Sequence, residues 1–172
     1  MDMIASRNDS AKHSRVVDTR AFRGVCGLFV TGVTVITSQA GGEPVGVTVN
    51  SFTSVSLDPP LVLFCIHHMS RVWPVIEQTE SFAVNILAED QAEVCRAFAT
   101  KTHPHFSTVK SRYGATGVPI LDDALGYLEC TLHRVIDGGD HLIVIGRVVD
   151  FGAQREDGPL TFFRSGHLRL EI

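Results

Sequence analysis

Two hairpin signatures constrain this chain more than any other feature. In the first, Val33, Val35 and Thr37 alternate with Thr34 and Ile36, Gly41-Gly42 interrupts, and Val45, Val47 and Val49 alternate with Gly46, Thr48 and Asn50. Successive side chains of a strand face opposite ways, so this alternation around a glycine pair reads as a β-hairpin. In the second, Tyr127–Ile136 and His141–Phe151 are long β-rich runs joined by Asp137-Gly138-Gly139-Asp140, a strong turn signal. Leu61–Ile66, after Asp58-Pro59-Pro60, reads as a fully buried strand, and Phe82–Leu87, Leu160–Phe163 and Leu168–Ile172 as further strands. Helical spacing is confined to two places. Phe22, Val25, Cys26 and Phe29 follow a cap at Asp18 or Thr19 and run to Gly32, and Glu89–Thr100 carries Val94, Ala97 and Phe98 on one face. Lys101–Leu121 reads as a long connection.

Strands in hairpin order with few helices predict a mainly β fold, an antiparallel barrel with helices outside it. A doubly wound parallel sheet, the usual home of dinucleotides, needs a strand–helix alternation that is absent here. Neither a Gly-x-Gly-x-x-Gly turn nor a Gly-Lys-Ser/Thr phosphate loop occurs, so any nucleotide must be held by other means.

The 172 residues fit one domain, placed over 16–172. A chain of this size buries about 70% of its unfolded surface and needs no metal or disulfide staple. Residues 1–15 are polar and mixed in charge and lack the apolar segment of a secretion signal, which predicts a flexible arm on a cytoplasmic protein. Fifteen Lys and Arg against nineteen Asp and Glu give a net charge of -4, which leaves no basic field for nucleic acid or an anionic membrane. The longest apolar run, Leu61–Ile66, falls far short of the ~20 residues that span a bilayer. Cys26, Cys65, Cys95 and Cys130 lie in apolar stretches without a Cys-x-x-Cys pair and are expected to be reduced, buried and inert.

Candidate chemistry is sparse. His67-His68 and His103/His105 are the close histidine pairs, but adjacent strand residues face opposite ways, and no carboxylate set supports either pair. No metal is expected, and a metal-dependent hydrolase is set aside on spacing. No serine lies in Gly-x-Ser-x-Gly and no cysteine carries a nucleophile's pattern. One segment differs: from Thr48 to Ser56, hydroxyls and an amide are interleaved with Val49, Phe52 and Val55. It reads either as a solvated Ser/Thr sheet edge or as a site for an anion or polar heterocycle at a barrel mouth.

Phe29-Val30-Thr31-Gly32-Val33-Thr34-Val35-Ile36-Thr37, followed by Val47-Thr48-Val49-Asn50-Ser51-Phe52-Thr53-Ser54-Val55-Ser56-Leu57-Asp58-Pro59-Pro60-Leu61-Val62, resembles the flavin reductase-like family. These are the FMN-binding split-barrel reductase components of two-component monooxygenases. Phe82-Ala83-Val84-Asn85-Ile86-Leu87, Gly117–Leu121 before Leu128-Glu129-Cys130, and Gly139-Asp140-His141 before Ile145-Gly146-Arg147-Val148 continue the match in family order, from Phe22 to Leu170. The resemblance implies an antiparallel split β-barrel, usually a homodimer, that binds FMN or FAD and takes hydride from NADH or NADPH. It also implies an oxygenase partner that receives the reduced flavin.

Carried over by motif, Thr31, Gly32, Val33 and Thr34 would border the flavin ring. Thr48, Val49, Asn50 and Ser51 would line its polar edge, and Ser54 and Ser56 would face its ribityl chain or phosphate. Cys65 and Ile66 would end a strand against the flavin, Ser70 and Arg71 would reach the phosphate, and Phe98 and Ala99 would lie near the phosphate or adenylate end. Asp140 and His141 match a Gly-Asp-His motif whose histidine contacts the nicotinamide, and Phe163 keeps a family aromatic. Hydride transfer between two ring systems asks the protein for positioning and charge accommodation rather than for an acid or nucleophile. Two departures stand out: His167 replaces the usual Tyr, and His67-His68-Met69 is a bulkier lead-in to Ser70. The rival expectation is a flavin-binding carrier or sensor without turnover, which would have no need of a nicotinamide contact.

Overall fold

The computed structural model describes residues 16–100 and 105–168. The expected arm over 1–15, the expected strand end at 169–172 and part of the expected connection, 101–104, lie outside the described residues.

The chain opens with α1 (Thr19–Cys26), capped by the Asp18 carboxylate, which accepts from the Arg20 and Ala21 amides at 2.9 and 3.2 Å. The helix stops at Cys26 rather than running to Gly32, and none of its residues is buried. The Gly27 amide turns back to the Arg23 carbonyl, and Thr31 and Gly32 leave as β1 (Thr31–Gly32) to pair with Phe162 and Thr161. The first expected hairpin forms as β2 (Thr34–Ala40) and β3 (Glu43–Val49). Gly41 and Gly42, at φ 60° and 84°, supply the left-handed pair that a two-residue hairpin turn requires. Then follow β4 (Thr53–Leu57), β5 (Pro60–His67), α2 (Trp73–Thr79), β6 (Ser81–Ile86) and α3 (Ala92–Ala99). A 3-10 turn at His105–Ser107 and a small hairpin, β7 (Ser111–Tyr113) and β8 (Pro119–Leu121), occupy what reads from sequence as a plain connection. The second expected hairpin is β9 (Gly126–Asp137) and β10 (His141–Ala153), and β11 (Thr161–Phe163) and β12 (Gly166–Leu168) close the described chain.

Seven strands share one antiparallel sheet in the order β3-β2-β6-β9-β10-β5-β4, and β1-β11-β12 form a smaller one. Bulges between Ile145 and Gly146 and between Val148 and Asp150 bend β10 against β9. The bent sheet wraps until Val45, Val47 and Val49 of β3 pack into the same core as Val62, Phe64 and Ile66 of β5. Its edges, β3 and β4, stay unpaired with each other, so the barrel is split, as expected. Phe64 and Phe82 meet edge to face at its centre, ring centroids 5.2 Å apart.

Several local expectations are corrected. β5 is not buried on both faces: Val62, Phe64 and Ile66 are buried while Leu61, Leu63 and Cys65 are half-covered. Conversely, Val33 to Ser38 are all buried, because α2 and α3 pack on β2 and the other face joins the barrel core. A third helix, α2, is an addition; Pro74 sits in its first turn, where a missing amide hydrogen costs nothing. α3 buries Cys95 together with the expected Phe98, while the expected Val94 and Ala97 are half-buried. Cys95 and Cys130 are buried as expected, but Cys26 is exposed and Cys65 half-exposed. Among the described residues no helix is long and apolar enough to cross a membrane.

Candidate functional site

A cavity of about 580 Å³ opens where three chain segments end together. Val45, Gly46 and Val47 of β3 form one wall, the turn from His67 to Val72 a second, and Phe98–Thr100 at the end of α3 the third. Its volume falls in the range of about 300–1,000 Å³ typical of small-molecule and cofactor sites. Gly46 is what lets the walls meet: a Cβ there would stand 2.6 Å from Phe98 Cε1. The turn between β5 and α2 is held by its own bonds. The Ser70 amide donates to the His67 carbonyl at 2.8 Å, the Met69 amide to His67 Nδ1 at 3.0 Å, and the Val72 amide to Ser70 Oγ at 3.3 Å. This presents the Ser70 and Arg71 side chains at a cavity whose other walls are largely apolar.

Beside it lies a histidine corner. β5 and β10 pair with His141 directly opposite His67, and the two imidazoles meet edge to face, centroids 5.2 Å apart at 80°. His141 Nδ1 lies 2.7 Å from Asp140 Oδ1. That hydrogen bond, reinforced by charge attraction to His141, holds the Asp140 carboxyl below its ordinary value. Next to them, the His68 amide donates to the Asp140 carbonyl at 3.2 Å, and its Nε2 reaches Gly139 O and Asp137 Oδ1 at 3.1 and 3.3 Å. The turn after β5 and the turn before β10 are thereby tied into one unit.

The Thr48–Ser56 segment divides between structure and surface. Thr48 Oγ1 donates to the Cys95 carbonyl at 2.7 Å, which ties β3 to α3. Ser51 Oγ accepts from the Cys65 amide at 2.9 Å and donates to its carbonyl at 3.1 Å, taking the place of a strand partner. Asn50 Nδ2 reaches Thr31 Oγ1 at 3.2 Å, so these two expected site residues do meet. Thr34 Oγ1 donates to the Val49 carbonyl at 3.2 Å. Val33 and Ile66 point into the two cores, where only their backbone is left to face a ligand. Gly32 lies exposed in β1, Ser54 and Ser56 lie at the β4 edge across a bulge, and Phe163 sits under the Arg164 guanidinium at 5.2 Å. His167, the departure from the family pattern, donates from Nδ1 to the Thr161 carbonyl and lies edge-on to Phe162.

Of the residues singled out from sequence, Ser70, Arg71, Phe98 and Ala99 line the cavity. Asp140 and His141 adjoin it through His67, and Thr31 and Asn50 pair elsewhere. Sequence reasoning missed Val45, Gly46, Val47, Val72 and Thr100 as wall residues. A glycine inside a strand signals close approach by another group, so Gly46 was there to be found. His67 and Met69 stand out in the sequence only as part of a bulkier lead-in to Ser70, and His67 also as half of a close histidine pair; neither reading reaches the pairing of His67 with His141. Among the described residues no cluster of His, Cys, Asp and Glu is arranged to hold a metal ion.

The split barrel and this cavity belong to a known class. Residues 26–171 match the flavin reductase like domain, and the chain is a member of that family, as the resemblance in its motifs implied. It is 42% identical over 163 residues to the reductase subunit HsaB of a flavin-dependent monooxygenase from Rhodococcus jostii, covering 95% of this chain and 84% of that one. Its fold matches nitrilotriacetate monooxygenase component B from Mycobacterium thermoresistibile with a TM-score of 0.87 and 44% identity, over 90% of this chain and 87% of that one. It also matches the Streptomyces globisporus NADH:FAD oxidoreductase solved with NAD and FAD fragments, with a TM-score of 0.85 and 38% identity, over 89% and 93% of the two chains.

Proposed function

We infer that this chain is an NAD(P)H:flavin oxidoreductase that passes hydride from a reduced nicotinamide to FMN or FAD and supplies the reduced flavin to an oxygenase. The observation that carries this reading is that the Ser70–Arg71 turn lines the cavity and is bonded, through the His68 amide and the Asp140 carbonyl, to the Gly139-Asp140-His141 turn beside it, in a member of this family. The donor set fits a flavin: valine and phenylalanine walls suit a flat ring, and Arg71 with Ser70 suits a phosphate.

When bound, the flavin supplies the ring system that accepts hydride. The chain's own part is to hold and orient. Asp140 accepts the His141 Nδ1–H and so fixes that ring, and leaves Nε2 to address the nicotinamide. Val45, Val47, Val72 and Phe98 exclude water from the face they cover. No proton has to be delivered by a buried acid. The test is nicotinamide oxidation, followed at the NADH absorbance band, with FMN, FAD or riboflavin added. Flavin-dependent oxidation is expected, and its absence with every flavin and with both NADH and NADPH overturns the reading.

We further assign residues 16–172 to one flavin-binding domain in the cytoplasm, acting as a homodimer. The support for a second copy is exposed apolar surface. α1 presents Phe22, Val25 and, beyond its end, Phe29 to solvent, and β10 presents Phe151 at 74% exposure. Light scattering should give about twice the 18.8 kDa chain mass.

A further inference from the structure

We propose that His67 is a specificity-determining residue, the partner of His141 in reading the carboxamide of the nicotinamide. The inference deepens the reductase reading and rests on it.

It follows from which nitrogen of each ring carries its proton. His67 Nδ1 accepts the Met69 amide hydrogen at 3.0 Å, so the neutral ring holds its proton on Nε2 and offers a donor there. His141 Nδ1 faces the Asp140 carboxylate at 2.7 Å, and a carboxylate only accepts, so the His141 proton is on Nδ1 and the neutral ring offers an acceptor at Nε2. The Met69 amide and the Asp140 carboxylate thus fix opposite tautomers in two rings that stand across a strand pair, their centroids 5.2 Å apart. Among the described residues neither Nε2 has a hydrogen-bond partner, and His67 itself lines the cavity.

A donor beside an acceptor is the complement of one small group, a primary carboxamide. Its carbonyl takes a hydrogen bond from His67 and its amino group gives one to His141. A phosphate would meet the His67 donor but find a lone pair at His141. An aromatic ring alone would use neither. His68 cannot substitute for His67, because its Nε2 is already committed to Gly139 and Asp137.

The two nitrogens of His67 can be separated by substitution. Asn places its amide oxygen near the Nδ1 position, so His67→Asn keeps the bond to the Met69 amide and loses the donor. Gln places an amide N–H near Nε2, so His67→Gln keeps the donor and loses the turn bond. The assay is equilibrium binding of NAD+ to the oxidised, flavin-loaded protein by calorimetry, where no turnover occurs. The same titration is run with the 3-acetylpyridine analogue, which keeps the carbonyl and lacks the amino group. A hydrogen bond of about 1 kcal/mol corresponds to roughly fivefold in affinity.

In the wild type, NAD+ should bind roughly fivefold more tightly than the analogue. His67→Asn should weaken both ligands by about that factor, and His67→Gln should leave both within about twofold. His141→Asn, which keeps the Asp140 contact, should weaken NAD+ alone and abolish the preference. If His67→Asn binds both ligands like the wild type, or if His67→Gln falls as far as His67→Asn, the proposal is overturned. Wild-type protein that shows no flavin-dependent NADH oxidation would instead overturn the reductase reading, so the two failures are distinguishable.

Discussion

Replacing Gly46 by Ala tests whether the cavity wall is built as described. The new Cβ would lie 2.6 Å from Phe98 Cε1, 2.7 Å from Cδ1 and 3.4 Å from the Ile36 carbonyl oxygen. Carbon atoms in good contact stand about 3.5–4.0 Å apart, so the Phe98 ring has to retreat by about 1 Å. Phe98 is 1% exposed and rests edge-on against Phe106 at 5.2 Å, which closes the way outward. The open direction is into the cavity that it lines. Overpacking of this kind costs about 1–3 kcal/mol. Gly46 is not in the left-handed region, so the usual Gly→Ala gain of about 0.4–1 kcal/mol from a stiffer unfolded chain offsets part of that.

The net loss is then about 1–2 kcal/mol, which for a chain of this length lowers Tm by about 2–8 °C. Flavin affinity should fall with it, because the displaced ring occupies ligand space. Phe98→Leu supplies the control. Alone it removes packing, but combined with Gly46→Ala it makes room for the methyl, so the double variant should be more stable than the sum of the two losses by about 0.5 kcal/mol or more. Thermal melts and flavin titrations of the three variants decide the matter. Additive losses, or a Gly46→Ala protein as stable and as tight-binding as wild type, would refute the packing argument.

Further outcomes can be checked separately. Asn85 is fully buried; Nδ2 donates to the Val35 carbonyl and Thr37 Oγ1, both at 3.0 Å, while Oδ1 accepts from the Leu121 amide at 2.8 Å. Asn85→Ala strands these partners without water and should destabilise by about 3 kcal/mol or more in urea unfolding, with a loss under about 1 kcal/mol counting against it. The Asp140 carboxyl should titrate, by carbon NMR, below its ordinary 3.8 and return towards it in His141→Ala. Its contribution to stability is therefore present above pH 3.8 and disappears only as pH falls through the lowered folded value. Burial pushes the Cys130 thiol up to about 12 and raises that of Cys95, so neither should react with a thiol reagent at pH 8 before unfolding, whereas exposed Cys26 should label at once.

The hairpins were legible in the sequence because period-two alternation and glycine turns act locally. Gly41-Gly42 and Asp137–Asp140 both sit at strand reversals where they were expected. What was not legible depends on partners distant in sequence. β7 is wholly exposed and β8 wholly buried, so neither shows alternation, and their pairing is decided by packing on Ala83 and Tyr127. Pro74 reads as a breaker until its place in a helix's first turn is known. The helical spacing of Phe22, Val25 and Cys26 locates α1, yet none of its residues is buried among the described residues. Motif matching singled out Ser70, Arg71, Phe98 and Ala99, which line the cavity, and Asp140 and His141, which lie beside it, but the hydroxyl-rich strip is partly structural, since Thr48 and Ser51 spend their hydroxyls on backbone groups. His67 acquires meaning only through the register that sets it opposite His141.

That register also bears on how firmly a flavin is held. The pairing of β5 with β10, from Leu61 opposite Arg147 to His67 opposite His141, brings the two site turns together through backbone bonds formed on folding. The His68 amide then locks one turn to the other. The two histidines are therefore oriented before any ligand arrives, and the entropy of ordering them is not charged against binding. Charge acts in the opposite sense. The chain carries a net charge of -4, and among the described residues lining the cavity Arg71 is the one permanent cation. An anionic flavin gains orientation from the fold but little long-range attraction. A site that positions well and attracts weakly favours exchange over retention, and exchange is what a reductase needs when its product must leave for another protein.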